Sequence, residues 1–203
     1  MICKPNTDND VFPFLVVDDF YNQDEQKLIW DELELHSDKF VRGGGGVAKD
    51  ETGFDLASLK RFSLDRLYEG HRQDSNILSV YGKVCSEDVK KAYRETTPSS
   101  RTFESTNNDA TIVNYYETSD DYKEHSDVFM HSCLIFFYKQ PKKFTGGNLI
   151  FTQPNETVEC VHNRMILFPS YYLHKVTEVK MEEQYINKGL GRYSMAHFYT
   201  YNN

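Results

Sequence analysis

Hydrophobic positions are spaced differently in the two halves of this chain, and the change falls near Arg101. Ahead of it, Leu28, Ile29, Leu33 and Leu35 form a narrow stripe at helical spacing, enough to pack a helix on a sheet. Asn22 and Glu25 stand at the spacing of a capping box, so this helix is predicted to start there and run to about His36. Residues 14–18 precede it as a short apolar strand. Residues 75–97 again read as helical, with a break at Ser86 and a stop at Pro98, whose ring disfavours helical backbone in the residue before it. Between them, 41–53 is polar and carries a glycine run at 43–46. It is either a surface loop or the tip of a hairpin near the mouth of a site.

Beyond Arg101, short runs rich in Val, Ile, Thr, Phe and Tyr alternate with Gly, Pro, Asn and Asp. They predict strands near 111–117, 122–128, 131–139, 148–153, 157–161, 164–168, 173–179 and 191–201. Such a succession predicts a sandwich or jelly roll buttressed by the early helices. The expected class is therefore α+β, a jelly-roll core with N-terminal helices packed on one sheet. With 203 residues the chain can bury a core of its own, so 1–203 is expected to be a single domain. Its helical front part is about 1–100 and its core about 101–203.

Composition narrows the functions. Aromatics reach 14%, an excess that suits strands and an aromatic-lined cavity. The formal net charge of −8 repels phosphate backbones, so no nucleic-acid partner is expected. Lys139, Lys142 and Lys143 lie beside a turn and read as a solvated loop. Cys3, Cys85, Cys133 and Cys160 show no paired spacing, and no apolar run opens the chain as a signal peptide would. The longest apolar run, 133–138, is far too short to cross a bilayer. The expectation is a cytoplasmic protein with no membrane contact, in a reducing setting.

Candidate chemistry begins at His125-Ser126-Asp127. On a strand, residues i and i+2 project from one face, so an imidazole and a carboxylate can converge. His174, just past Phe168-Pro169-Ser170, is the candidate third ligand. Two His and one carboxylate on one triangular face leave the opposite positions open, as oxygen-activating Fe(II) requires. The tripeptide alone carries little weight, since roughly one such match is expected by chance. His36-Ser37-Asp38 repeats it at a predicted helix end, where i and i+2 diverge and the imidazole suits the helix dipole. His131 reads as a packed or hydrogen-bonded histidine, His162 and His197 as ordinary polar residues, and His71 as lying near a helix start.

Context separates the two copies. Val113-Asn114-Tyr115-Tyr116, a polar turn and Tyr122-Lys123-Glu124-His125-Ser126-Asp127 are followed by an apolar run at 134–138. Then come Phe144-Thr145-Gly146-Gly147-Asn148-Leu149-Ile150-Phe151, Ile166-Leu167-Phe168-Pro169-Ser170 ahead of His174, and Gly191-Arg192-Tyr193-Ser194. In this order the motifs resemble the prolyl 4-hydroxylase-like branch of the Fe(II)/2-oxoglutarate-dependent dioxygenases, from about residue 111 to 199. Residues 13–20 and the following helix resemble the front of the same family.

The resemblance implies a double-stranded β-helix core, with Fe(II) held by His125, Asp127 and His174. It implies 2-oxoglutarate anchored by Arg192 through a charge-assisted, bidentate contact, with Ser194 and Tyr115 adding hydrogen bonds. Gly146 and Gly147 would serve hairpin geometry. Two departures stand out: Phe137 takes the place of a second tyrosine, and the stretch from His174 to Arg192 is long, carrying a polar loop over 180–188. Lys175 and Lys180 compete with Arg192 as anchor but lack its strand context. The implied reaction is hydroxylation of a C–H bond with O₂, releasing succinate and CO₂, with ascorbate as reductant. A prolyl residue in a peptide or protein is the first substrate expectation, and a free amino acid or other small molecule the second. From another class, a non-catalytic metal-binding jelly-roll module is the rival. A structural zinc site would ordinarily be closed by four ligands, often cysteines, and no fourth ligand is offered here.

Overall fold

The computed structural model describes residues 2–5 and 12–202, apart from 44, 45, 97 and 99. Gly44 and Gly45 of the glycine run and the expected helix end at Thr97 thus lie outside the described residues. The strands in chain order are β1 (Ile2–Pro5), β2 (Leu15–Asp18), β3 (Val41–Arg42), β4 (Ala57–Ser58), β5 (Lys60–Ser63), β6 (Asn108–Tyr116), β7 (Asp121–His125) and β8 (His131–Phe137). They continue as β9 (Phe144–Thr145), β10 (Leu149–Phe151), β11 (Glu156–Val158), β12 (Arg164–Pro169), β13 (His174–Val176), β14 (Lys180–Met181) and β15 (Arg192–Thr200). The α-helices are α1 (Gln23–Leu35), α2 (Leu64–Leu67), α3 (Asn76–Val80), α4 (Glu87–Arg94) and α5 (Ser100–Glu104).

An eight-stranded sheet runs β1-β2-β12-β8-β15-β6-β5-β3 and a five-stranded sheet runs β11-β10-β13-β7-β4. All their pairings are antiparallel, as the double-stranded β-helix reading requires. Strand parity divides the core in two. Leu134, Phe136, Ile166, Phe168, Ala196 and Phe198 of the large sheet face the small sheet and pack with Leu149, Phe151 and Val176. Cys133, Ile135, Met165, Leu167, Tyr193 and Met195 face the other way, against Ile29 and Leu33 of α1, Ile77 of α3 and Val89 of α4. Each fully buried Leu, Ile or Phe contributes about 1.5–3 kcal/mol by leaving water. Among the described residues, no helix is long and apolar enough to cross a membrane.

Local signals explain the helical layer. The Asn22 Oδ1 accepts from the Glu25 backbone N–H at 2.9 Å, and the Glu25 carboxylate accepts from the Asn22 N–H at 2.7 Å. This closes the expected capping box. Ser86 stands at the N-cap position of α4 with extended backbone, at the expected break. The front part is less helical than its sequence suggests. Among the described residues only α1 and α4 exceed five residues as α-helices, 81–85 being 3₁₀ helix, and β5 inserts beside β6 in the large sheet, pairing Arg61 with Asn114.

Two histidines outside the candidate site are structural. His131 is held by the Tyr93 hydroxyl at Nδ1 (3.1 Å) and the Thr102 hydroxyl at Nε2 (2.7 Å). His197 meets Thr111 at Nδ1 (2.9 Å) and stacks on Tyr81. Burial holds both imidazoles neutral by lowering their pKa to about 4. The unfolded chain protonates near 6.5, so their contribution to stability is complete above that value and is lost as pH falls from 6.5 through 4. We expect the melting temperature to be level at neutral pH and to fall across this window. His131→Gln should shallow the slope, and calorimetry of the two proteins from pH 7.5 to 4.5 checks this.

Candidate metal centre

β7 ends at His125, and β13 begins at His174 directly opposite it in register. The two rings, with centroids 4.4 Å apart, are therefore neighbours on adjacent strands. Asp127 lies just beyond the end of β7, so strand alternation alone does not aim it. Its backbone N–H donates to the Ser170 carbonyl at 2.9 Å, and its Oδ2 accepts from the Ser132 hydroxyl at 2.6 Å. Ser132 in turn meets the Ser170 hydroxyl at 2.7 Å, which ties the loop to the end of β12.

The donor atoms converge. The His125 Nε2 lies 3.7 Å from one Asp127 oxygen, the His174 Nε2 lies 3.7 Å from the other, and one ligand atom from each residue falls within 4.8 Å of the rest. Each Nδ1 sits 2.8 Å from a backbone carbonyl, Lys123 for His125 and Tyr172 for His174. A carbonyl only accepts, so Nδ1 carries the proton and Nε2 is left with its lone pair toward Asp127. Burial, reinforced by the neighbouring His174, lowers the His125 pKa to about 4 and keeps it in the neutral form that binds metals. Tyr122 stacks on His125 at 3.7 Å, and the Phe168 ring stands edge-on to His174 at 5.1 Å. The pair of donors is thus walled from water on the strand side. Three donors on one face leave room for further ligands opposite.

Arg192 opens β15 and is fully buried beside the same cavity. Its guanidinium lies between the Tyr116 and Phe136 rings, 4.5 and 4.6 Å from their centroids. Its Nε, Nη1 and Nη2 have no hydrogen-bond partner. The flat rings support the charge without satisfying its fork of donors, so it is built for an anion with two oxygens. Ser194 lines the cavity one strand repeat further on. Lys175 and Lys180 are exposed and do not line it.

Tyr115 is not brought to this cavity, contrary to the sequence reading. Its hydroxyl donates to Glu117 at 2.9 Å and accepts from the Gly191 N–H at 3.2 Å, on the opposite face of the large sheet. The neighbouring Tyr116 presents its ring to Arg192 instead. The same shift by one applies on β8, where Phe136 rather than Phe137 faces the cavity.

The second tripeptide does not converge. His36 caps the end of α1 and bonds the Tyr68 hydroxyl at 2.7 Å, while Asp38 is exposed and paired with Lys39. His162 bridges the Gln26 side chain and the Tyr138 N–H, and His71 precedes a turn of 3₁₀ helix. The glycine-rich segment does reach the site. Gly46 lines the cavity, and the Ala48 N–H donates to the Tyr122 hydroxyl at 2.9 Å. By contrast the long loop before Arg192 serves the other face, where the Asn187 N–H donates to Glu117 at 2.7 Å.

Arg61 and Asn114 also line the cavity, and the sequence reading assigned neither to the site. Arg61 of β5 is buried, and its Nε and Nη1 have no partner.

Residues 110–200 match the model of the 2OG-Fe(II) oxygenase superfamily. Comparison with curated proteins gives no match. Among solved structures, the fold is similar to a prolyl-4-hydroxylase from Pseudomonas putida, at 15% identity and TM-score 0.64, over 95% of each chain. It is similar to a Trichoplax adhaerens prolyl hydroxylase, solved with a hypoxia inducible factor peptide fragment. That match has 12% identity and TM-score 0.60, over 92% of this chain and 83% of the other. An oxidoreductase of the 2OG-Fe(II) oxygenase family from Burkholderia pseudomallei matches at 12% identity and TM-score 0.55, over 94% and 86%. At these identities the likeness is one of fold.

Proposed function

Starting from a β core whose residues 110–200 match the 2OG-Fe(II) oxygenase superfamily model, we propose that the chain is a dioxygenase of this superfamily, that it holds Fe(II) through His125, Asp127 and His174, and that it hydroxylates a C–H bond. In this reading the substrate C–H, O₂ and 2-oxoglutarate become the C–OH product, succinate and CO₂. The single observation that carries it is the pairing of two features in one cavity. Both Nε2 atoms are freed toward Asp127 by their Nδ1 contacts, and a buried guanidinium beside them lacks any counter-charge. Bound iron supplies the activation of O₂, with 2-oxoglutarate as the source of two electrons.

The remaining roles belong to the chain. Arg192 takes the distal carboxylate of 2-oxoglutarate, and Ser194 lies on the same face to add a hydroxyl. Ser132 keeps Asp127 from turning away from the imidazoles. Tyr122, Phe168 and Phe136 keep water from the reacting groups. Gly147 fixes how close the chain can come to the anchor, because a Cβ there would lie 2.7 Å from the Arg192 Cδ, at a φ of +70°. Gly147→Ala is therefore expected to displace the guanidinium and raise the KM for 2-oxoglutarate about 10-fold, with kcat less affected. Initial rates against co-substrate concentration check it.

A prolyl residue in a peptide or protein is the substrate favoured by the fold shared with prolyl hydroxylases. The test is succinate formation by purified protein with Fe(II), 2-oxoglutarate and ascorbate, with a proline-rich peptide library read by mass spectrometry. Iron-dependent succinate with a +16 Da peptide is the expected result. Failure to bind 2-oxoglutarate in the presence of Fe(II) would sink the oxygenase assignment in favour of the non-catalytic metal-binding module.

A further inference from the structure

The cavity contains a charge that the reaction above does not use. β5 lies beside β6, and β6 beside β15, so Arg61, Asn114 and Ser194 stand abreast on three neighbouring strands. All three line the cavity with His125, Asp127 and Arg192. The Arg61 side chain is buried, with Nε and Nη1 unpartnered, and the Asn114 Oδ1 beside it is unpartnered as well.

Desolvating a guanidinium costs several kcal/mol unless an anion compensates it. Partly buried sheet cations of this chain follow that rule: Lys60 pairs with Glu117 and Arg164 with Asp18. Arg61 and Arg192 do not, and both face one cavity. A divalent ion, the Asp127 carboxylate, a dianionic keto acid and the Arg192 guanidinium cancel one another. Arg61 is then the one uncompensated charge among the described lining residues. It is also placed apart from Arg192, which lies on central β15 while β5 is next to the edge strand β3.

Resting on the oxygenase reading, we propose that Arg61 and Asn114 form a second carboxylate position, and that this carboxylate belongs to the primary substrate. The substrate class is thereby narrowed to molecules with an acid group close to the carbon that is oxidised. Arg61 pairs with the acid, and the Asn114 Oδ1 accepts an N–H of the same molecule. Such a group is either the terminal carboxylate of an amino acid or peptide, or an acidic side chain next to the target residue.

The experiment is calorimetric titration of the anaerobic Fe(II)·2-oxoglutarate protein with matched pairs of probes. The first pairs are L-proline with L-prolinamide, and N-acetyl-L-proline with its amide. The third is a doubly blocked Pro-Glu dipeptide with its Pro-Gln counterpart, whose only difference is the side-chain acid. At least one acid should bind about 10-fold or more tightly than its amide, and Arg61→Gln should abolish that preference. Which pair responds distinguishes a terminal from a side-chain carboxylate. Binding of 2-oxoglutarate itself should change less than about 3-fold in Arg61→Gln, which also shows that the variant folds. Arg61→Lys, keeping the charge without the fork, should recover part of the preference. The proposal is overturned if no acid outbinds its amide or if Arg61→Gln keeps the preference. It is equally overturned if that variant loses 2-oxoglutarate as severely as an Arg192 variant does, since Arg61 would then serve the co-substrate. Absence of 2-oxoglutarate binding to the unmodified protein is a separate result, and it would remove the oxygenase reading together with this one.

Discussion

Arg192→Gln is expected to weaken 2-oxoglutarate binding by roughly 100-fold or more, the equivalent of losing one partner of a buried charge pair at about 3–5 kcal/mol. The reason is geometric as well as electrostatic. The guanidinium is fully buried, its plane is held between Tyr116 and Phe136, and none of its donors is used within the protein. A carboxylate arriving there gains a fork of donors already oriented for it. Glutamine keeps some donor capacity but neither the charge nor the fork, and lysine keeps the charge as a single point. Arg192→Lys should therefore fall between the two. Anaerobic titration of the Fe(II)-loaded proteins with 2-oxoglutarate measures the series. Equal affinities across it would assign the anchor elsewhere.

The second large effect is expected at His174. Removing its imidazole leaves His125 and Asp127 as a two-donor site, and we expect His174→Ala to cut Fe(II) affinity by at least about 100-fold and to abolish succinate formation. Equilibrium dialysis against Fe(II) under anaerobic conditions reads the metal directly, separately from turnover. Asp38→Ala is the internal control, because it alters the other His-Ser-Asp copy at an exposed position paired only with Lys39. It should bind iron and turn over as the unmodified chain does. Iron retained by His174→Ala, or lost in Asp38→Ala, would reverse the choice between the two copies.

How much of this was readable beforehand depended on whether a residue's role is encoded locally. The α1 start was legible because a capping box is a contact between residues three apart. The strands of the second half were legible as short β-branched and aromatic runs. Which face each residue takes was not. The large sheet is covered by helices on one side and the small sheet on the other, so β6, β8 and β15 are apolar on both faces. The usual alternation of apolar and polar residues is then absent, and nothing in Tyr115-Tyr116 or Phe136-Phe137 marks the parity. That is why Tyr115 was expected where Tyr116 lies.

Two other features depend on distant partners. Asp127 is oriented by Ser132 and Ser170, which the loop after β7 reaches only in the folded chain. Arg61 sits on a four-residue strand with Lys60 and Ser63, a run too short for its periodicity to mark a buried face. The one available signal was Phe62 between polar neighbours, too brief to identify a strand. Its consequence for the candidate site appears only once β5 is seen beside β6.

The stacked guanidinium on β15 also bears on how long the protein survives. A cation enclosed without an opposing charge raises the free energy of the ligand-free fold, and whatever neutralises it adds its binding energy to the melting equilibrium. On the proposed assignment, the chain without its keto acid is therefore expected to unfold more readily than the loaded chain.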